Sequence, residues 1–212
     1  MDVTSDQKLR ADARLNREQI IEAAHALIAE HGADVPMEEV ARRAGVGTGT
    51  LYRRFPNRHA LIRGVALDSF RRVIAIARTA EDEEPDAWAA LTRFVHQAGG
   101  ELRLAAGLAM RFAGTWATLR DDPENLRLRA ILLKILDRLV RRAQAEGKAR
   151  DDVSAADLSM MMALLLRPMP GLQPDLTPAG VDRYLTLMLE GLRARPDTAP
   201  LPSPEITVAG LA

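Results

Sequence analysis

Apolar residues recur at intervals of three and four along most of the chain, which is the spacing of one face of an α-helix. The first such stripe consists of Ile20, Ala24, Leu27 and Ile28. Asn16, with Gln19 three residues later, resembles a helix-capping box. We therefore expect the first helix to begin near residue 16 and residues 1–15 to form a disordered N-terminal arm.

The next breaks in the pattern predict three further helices in close succession. Gly45 ends a short second helix. Phe55-Pro56 closes a third helix of about seven residues, because the residue before a proline avoids helical geometry. Asn57 is then placed to cap a long fourth helix.

The remainder of the chain continues the helical pattern. A fifth helix is expected to stop at Gly99-Gly100, with a broken helical stretch over residues 101–121. Ser154 with Asp157 predicts the cap of a later helix. Hardly any segment alternates as a strand does, so we predict an all-α fold of about nine helices.

Two helical parts are separated by the acidic run "EDEEPD" at residues 81–86. We assign residues 16–80 to an N-terminal domain that includes the fourth helix, and residues 85–195 to a C-terminal domain. From Pro196 onward, four prolines fall within nine residues. Residues 196–212 are therefore predicted to form a Pro-rich tail.

Composition excludes several functional classes. The 212 residues contain no cysteine, which excludes a disulfide framework, a thiolate zinc site and cysteine catalysis. The polar N-terminus lacks the apolar core of a secretory signal, and no apolar run reaches the roughly 18 residues of a membrane span. We therefore expect a cytoplasmic protein with no membrane contact.

The net charge is zero, but its distribution is uneven. Between Val40 and Arg72, eight arginines stand against one acidic residue, Asp68. A local basic field of this kind attracts a polyanion such as DNA. Counter-charges folded nearby would instead leave a solvated helical face, so charge alone leaves both interpretations open.

The glycine-rich motif "AGVGTGTLYRRF" at residues 44–55 could belong to a loop that binds a nucleotide phosphate or to a helix-turn-helix that binds the DNA backbone. A phosphate-binding loop needs a preceding strand and a Gly-Lys-Ser/Thr ending. Here an alanine-rich helix precedes Gly45, and the motif contains no lysine. The sequence therefore predicts no nucleotide cofactor and no metal site, and it favours a helix-turn-helix unit.

Each residue of the motif suits such a unit. Gly45 supplies the turn, Gly47 caps the recognition helix, and Leu51 and Phe55 face inward. Small residues at the helix start let the backbone approach base edges, and threonine methyls suit thymine methyls. The predicted base-contacting residues are Thr48, Gly49, Thr50 and Arg53. The predicted phosphate-contacting residues are Tyr52, Arg54 and Arg58, together with Arg42 and Arg43.

The segment "IIEAAHALIAEHG…MEEVARRAGVGTGTLYRRFPNRHALI" resembles the DNA-binding domain of the tetracycline-repressor (TetR) family over roughly residues 16–65. The resemblance implies a homodimer that places one helix-turn-helix per subunit in successive major grooves of a palindromic operator. It also implies an effector pocket in the C-terminal domain whose occupancy by a small molecule releases DNA.

The resemblance assigns roles to individual residues. Thr48, Gly49 and Thr50 correspond to base-contacting positions, and Tyr52 corresponds to a phosphate-binding tyrosine. Arg58 stands where the family usually has a lysine; either cation can hold a phosphate. The family's common threonine at the start of the second helix is replaced by Pro36-Met37, and the acidic Glu38 follows, so affinity is expected to depend more on the arginines.

Candidate pocket residues are the large soft side chains of the C-terminal domain and one histidine. They are Trp88, Phe94, His96, Met110, Phe112 and Trp116. Arg103, Arg111 and Thr115 are further candidates for polar groups that orient a ligand. Large apolar side chains such as the tryptophans, phenylalanines and methionine in this set also form ordinary hydrophobic core, and that alternative remains open for each of them.

A dimer is also indicated by "LSMMMALLLRPM" at residues 158–169, which is apolar nearly all round. A helix of this composition must be covered on more than one side, by a partner subunit or by its own chain. The predicted interface residues are Met161, Leu165, Leu185, Met188, Leu189 and Leu192.

The sequence thus predicts a ligand-responsive repressor that binds a double-stranded DNA operator as a homodimer. An activator remains an alternative, because the sign of regulation depends on where the operator lies. A constitutive or architectural helix-turn-helix protein is a second alternative. An enzyme is disfavoured, since the four histidines are scattered and no Ser-His-Asp arrangement is present.

Overall fold

Nine α-helices make up the part of the chain that the computed structural model describes, which is residues 3–32, 34–167 and 178–202. They are α1 (Val3–His31), α2 (Met37–Arg43), α3 (Thr48–Arg54), α4 (Arg58–Glu83), α5 (Ala87–Arg111), α6 (Ala113–Arg120), α7 (Pro123–Ala145), α8 (Ala155–Leu165) and α9 (Pro178–Leu192). Within these ranges the only extended pairing is an isolated bridge between Ala149 and Arg193. The prediction of an all-α fold of about nine helices is confirmed.

The helix starts follow local capping chemistry. The Asn57 side chain accepts a hydrogen bond from the Ala60 N–H at 2.9 Å and opens α4. Asp122 caps α7 ahead of Pro123, whose missing N–H costs nothing at a first helical position. Ser154 and Asp157 form the reciprocal capping box predicted for α8.

Two helix boundaries differ from the predicted ones. The first helix does not begin at Asn16: α1 extends back to Val3, so residues 3–15 are helical rather than a disordered arm. The fifth helix does not stop at Gly99-Gly100 but continues to Arg111. A Cβ atom at Gly99 would lie 3.2 Å from Leu185 Cδ1, so this glycine lets α9 approach α5 closely instead of ending the helix.

Two hydrophobic cores divide the molecule, and α4 and α5 belong to both. The N-terminal core joins α1, α2 and α3 to the first turns of α4 and also contains Leu108 of α5. The C-terminal core is built from the rest of α4 and from α5, α7, α8 and α9. The two long helices therefore connect the helix-turn-helix to the C-terminal domain through packed side chains.

The described part of the tail, up to residue 202, lies against the loop between α7 and α8. Arg150 donates to the Ala199 carbonyl at 2.9 Å, and the Leu201 N–H donates to the Asp152 carboxylate at 2.8 Å. The Arg150 guanidinium and this N–H hold the pKa of Asp152 well below its usual range. The last ten residues of the predicted tail lie outside the described residues. Among the described helices, none combines the length and apolarity of a membrane span.

Candidate DNA-binding surface and effector cavity

The turn between α2 and α3 has the hydrogen bonds of a Schellman motif. The Val46 N–H donates to the Ala41 carbonyl at 3.0 Å, and the Gly45 N–H donates to the Arg42 carbonyl at 3.2 Å. Gly45 adopts a φ of +66°, a conformation that L side chains rarely adopt. The turn therefore requires glycine at this position, and it fixes the direction in which α3 leaves α2.

The recognition helix α3 is anchored by one face and leaves the other open. Leu51 and Phe55 are 0% and 2% exposed in the N-terminal core. Thr48 and Gly49 are exposed at the helix start. A Cβ atom at Gly49 would have no neighbour within 4 Å, so this position on the helix surface is open. The first turn of α3 is thus free to approach a large flat partner.

Two side chains on the outer face of α3 are held by neighbours. The Tyr52 hydroxyl donates to the Glu38 carboxylate at 3.3 Å, which places the phenol beside the start of α2. The Arg53 guanidinium folds back along its own helix and donates to Thr50 Oγ1 and to the Gly49 carbonyl, both at 3.3 Å. Arg53 therefore lies over the two small residues predicted to face the bases.

The other predicted phosphate contacts surround this face. Arg42 pairs with Glu39 at 2.7 Å. Arg43 makes two hydrogen bonds to Glu30, and this contact raises its pKa. Arg54 is exposed at the end of α3, and Arg58 is the first residue of α4. These four arginines thus lie on α2, at the end of α3 and at the start of α4.

Only some of the eight arginines between residues 40 and 72 are available to bind a polyanion, because others form ion pairs within the chain. Arg63 pairs with Asp122 at 2.6 Å and Arg71 with Glu124 at 3.1 Å, both at the start of α7. Arg72 pairs with Asp68 at 2.8 Å and with Glu22. These three arginines join elements within the chain, because Asp122, Glu124 and Glu22 lie close by in the fold although distant in sequence. The basic surface that remains is concentrated on α2, α3 and the first turn of α4.

The C-terminal domain encloses a cavity of about 710 Å³ between α4, α5, α7 and α8. This volume is in the range of sites for drug-sized ligands. Its wall is apolar over most of its area and includes Phe70, Leu102, Leu132, Leu136, Met160 and Met162. Helix α5 supplies a run of small residues, Ala105, Ala106 and Ala109, that leave the space unfilled.

The same segment of α5 touches the N-terminal domain with its other face. Leu108 belongs to the N-terminal core, and Leu104 and Phe112 pack against it. Glu101 accepts a hydrogen bond from His25 of α1 at 2.8 Å in a mostly buried pair. Burial opposes ionisation of Glu101, but the hydrogen bond and charge of His25 hold its pKa below the usual value. One helix thus lines the cavity and contacts the helix-turn-helix domain.

Comparison with known proteins identifies both domains. Residues 20–65 match the sequence model of the bacterial regulatory proteins of the TetR family. Residues 84–194, more than half of the chain, match the model of the C-terminal domain of SbtR-like transcriptional regulators. The chain belongs to the TetR family.

Solved TetR-family structures resemble the protein over most of its length. A TetR transcriptional regulator from Streptomyces coelicolor is 30% identical, with 84% of this chain and 98% of that chain covered and a TM-score of 0.67. A TetR regulatory protein from Mycobacterium vanbaalenii is 33% identical over 87% and 99% of the two chains, with a TM-score of 0.66. An HTH-type transcriptional regulator from Staphylococcus aureus is 43% identical over 54 residues, but the match spans only 29% of that relative. All three of these relatives are transcriptional regulators.

Within this TetR fold, only some of the predicted pocket residues reach the cavity. Phe94 and Met110 line it. Trp88 instead lies under Arg193, whose guanidinium is 5.0 Å from the ring centroid. His96 pairs with Asp182 at 2.5 Å, and Phe112 packs on the N-terminal core. The side chain of Trp116 lies outside the described residues.

The polar pocket candidates mark contacts between elements of the TetR fold. Arg111 pairs with Asp34 at 2.9 Å, and Thr115 is buried against His59 of α4. Residues that sequence reasoning missed include the three alanines of α5 and the arginines Arg129 and Arg167. The recurrence of alanines along α5 could have indicated a cavity in the sequence, because small side chains on a buried helix face leave space.

The predicted interface residues divide into two groups. Leu185, Met188, Leu189 and Leu192 are buried within the chain, at 9% exposure or less. This is the α9 stripe that the helical spacing identified, and it covers its own domain rather than a partner. Met161 is partly buried and Leu165 is 40% exposed. The exposed apolar side chains of α9 are instead Tyr184 and Leu187, one position before the buried residues.

Proposed function

We propose that the protein is a ligand-responsive transcriptional repressor. It binds a palindromic operator as a homodimer in the cytoplasm and is released when a small molecule occupies the C-terminal cavity. The observation that carries this proposal is the position of α5, which lines the cavity with one face and packs on the helix-turn-helix domain with the other.

In the proposed complex, the open first turn of α3 enters the major groove. Thr48, Gly49 and Thr50 face base edges, and Arg53 extends from its position over them toward a base. Tyr52 exchanges its contact with Glu38 for a phosphate oxygen. Glu38 holds the phenol of Tyr52 in place before DNA binds. Its negative charge also repels DNA phosphates that approach α3 in a different register.

The remaining guanidinium groups hold the DNA backbone. Arg54 and Arg58 flank the groove at the end of α3 and the start of α4. Arg42 and Arg43 contribute after giving up part of their pairing with Glu39 and Glu30. Contacts of this kind fix position and register without reading sequence.

The proposed homodimer forms through the exposed apolar faces of α8 and α9. Leu164, Leu165, Tyr184 and Leu187 are between 40% and 60% exposed in the single chain. A contiguous patch of large apolar side chains on a soluble protein marks an interaction surface. A two-fold axis through this patch pairs identical faces and provides two recognition helices for two half-sites.

Release follows from the two faces of α5. A ligand that fills the cavity pushes on Leu102 and Ala105, and the displacement reaches α1 through the Glu101–His25 pair and through Leu108. Successive major grooves on one face of DNA are about 34–36 Å apart. A change of a few ångströms in the distance between the two recognition helices of the dimer would therefore prevent both from entering their grooves at once. A ligand shifts this equilibrium only by its differential affinity for the two arrangements.

The test is a selection of random duplex DNA by the purified protein at about 150 mM salt, followed by sequencing. An enriched palindrome supports a dimeric, sequence-specific regulator. Retention of DNA without enrichment favours an architectural protein, and no retention contradicts DNA binding. Placing the enriched operator upstream of a reporter promoter and, separately, across its start site distinguishes a repressor from an activator.

A further inference from the structure

Two arginine side chains interrupt the otherwise apolar wall of the cavity. Arg129 projects from α7, and Arg167 follows the end of α8. Arg129 is partly buried and Arg167 is exposed. Among the described lining residues the other side chain with a polar group is that of Ser159, whose hydroxyl donates to the Ala155 carbonyl at 2.7 Å.

No aspartate or glutamate is among the described residues that line this space. Among the described lining residues, the two charged side chains are therefore both cations. A guanidinium is planar, remains protonated, and binds a carboxylate through two parallel hydrogen bonds. The apolar remainder of the wall offers contacts only to hydrocarbon.

We propose that the effector is an amphipathic monocarboxylate, with a hydrocarbon body in the apolar part of the cavity and its carboxylate against Arg129 and Arg167. The inference rests on the proposed role of the cavity as an effector site. A cationic ligand would meet the like charges of Arg129 and Arg167, which disfavours it. A neutral ligand of the same shape would gain the apolar contacts but not the charge-assisted hydrogen bonds.

The test uses decanoate, decan-1-ol and decylamine, which share one hydrocarbon chain and differ in the head group. Each is titrated into the full-length protein by calorimetry below its aggregation concentration. Decanoate is expected to bind one site per chain, at least ~10-fold more tightly than decan-1-ol, and decylamine is expected not to bind. Equal affinity for decanoate and decan-1-ol, or no binding of decanoate, would overturn the assignment.

Three variants locate the charge preference. Arg129→Gln and Arg167→Gln should each reduce decanoate affinity by about 10-fold while leaving decan-1-ol affinity within about 2-fold. Arg167 is exposed, so its variant remains informative if Arg129→Gln fails to fold. Arg127→Gln is the matched control, because Arg127 lies on the same helix as Arg129 and is not among the residues that line the cavity. Equal losses in all three variants would contradict the proposal.

A cavity-filling variant, Ala109→Trp, should abolish binding of decanoate and decan-1-ol alike. If decanoate still binds this variant with unchanged affinity, the ligand lies elsewhere and the proposal fails.

Failure of this proposal is distinguishable from failure of the proposed function. DNA selection without any additive tests DNA recognition alone. Decanoate that binds through the two arginines without releasing DNA contradicts the regulatory function and leaves the ligand class intact. An operator complex that decanoate does not dissociate, but that a neutral or cationic compound does dissociate, contradicts the ligand class alone.

Discussion

Arginines are present at both proposed binding sites of this molecule, in surroundings that differ in solvent and in neighbours. On the recognition face, Arg42, Arg43 and Arg54 stand on an open polar surface, two of them beside a carboxylate. In the cavity, Arg129 and Arg167 border an apolar wall, and none of the described lining residues is acidic. The same cation therefore suits two ligands: a hydrated polyanion at one end and a single anionic group on a hydrocarbon at the other.

The comparison between the recognition face and the cavity shows that the surroundings of an arginine, and not only its positive charge, determine which anion it can bind. Exposed charges act over a distance and are screened by salt, whereas a partly buried charge such as that of Arg129 is screened less. Four predictions separate or connect the two ends, in order of decreasing expected effect.

Salt concentration should affect operator binding at the recognition face much more than decanoate binding in the cavity. We expect operator affinity to fall by about 10³-fold between about 50 and 200 mM salt, because phosphate contacts release counterions from DNA. Decanoate affinity should change by less than about 3-fold over the same range. Anisotropy of a labelled operator and calorimetry of decanoate measure the two slopes. Parallel slopes would show that both arginine groups act as exposed surface charges.

Gly64→Ala tests whether the recognition helix depends on close packing beneath it. A Cβ atom at Gly64 would lie 2.9 Å from Phe55 Cε1, so the ring that ends α3 must move. We expect a loss of ~1–3 kcal/mol in the free energy of unfolding, together with weaker operator binding and unchanged decanoate binding.

The matched control for that change is Gly100→Ala, in the interior of α5 with nothing within 4 Å of the added Cβ. It should stabilise the protein by about 0.5–1 kcal/mol, because alanine loses less backbone entropy on folding. Chemical denaturation measures both variants. A neutral Gly64→Ala would mean that Phe55 adjusts freely and that α3 is not held by this contact.

Glu101→Gln tests the connection between the two domains. The pKa of Glu101 lies below its usual value in the folded protein, so its ionised form contributes stability at neutral pH that is lost as the pH falls through that lowered value. The variant should lose about 1.5 kcal/mol of stability at pH 7 and should show a weaker decline of stability at acidic pH. It should also weaken the effect of decanoate on operator affinity.

Asp137→Asn, which removes an exposed pair with Arg141 on α7, is the control for this variant. It should change stability by less than ~0.5 kcal/mol and leave the coupling intact. If both variants behave alike, the Glu101–His25 pair has no special role between the cores.

Tyr52→Phe is expected to have the smallest effect, a loss of about 1 kcal/mol in DNA affinity on any sequence. Its hydroxyl contacts Glu38 in the free protein and is proposed to contact phosphate in the complex. Thr48→Val should instead alter the preference at particular base pairs. Repeating the DNA selection with both variants measures the distinction, and identical losses on all sequences would show that the division into base and phosphate contacts is wrong.

The helix-turn-helix could be predicted from the sequence because its determinants are local. Gly45, Leu51 and Phe55 lie within eleven residues, and each has one role that spacing reveals. The cavity could not be predicted in the same way, since four helices from distant parts of the chain form it. Trp88 and His96 have the chemistry of pocket residues, but Trp88 packs against Arg193, just after α9, and His96 pairs with Asp182 of α9.

The remaining differences have physical causes of the same kind. Gly99 has the composition of a helix stop, yet the fold uses it for close packing against Leu185. The stripe of α9 that spacing identified as apolar covers its own domain, and the side chains left outside, Tyr184 and Leu187, could be assigned only once the neighbouring helices were in place.

The most direct test of the account is the reciprocal coupling between the two ends. Operator affinity is measured with and without saturating decanoate, and decanoate affinity is measured with and without operator. Because binding free energies are linked, each ligand should weaken the other by the same factor, expected to be about 10-fold or more. Decanoate that binds while operator affinity stays unchanged would contradict the account.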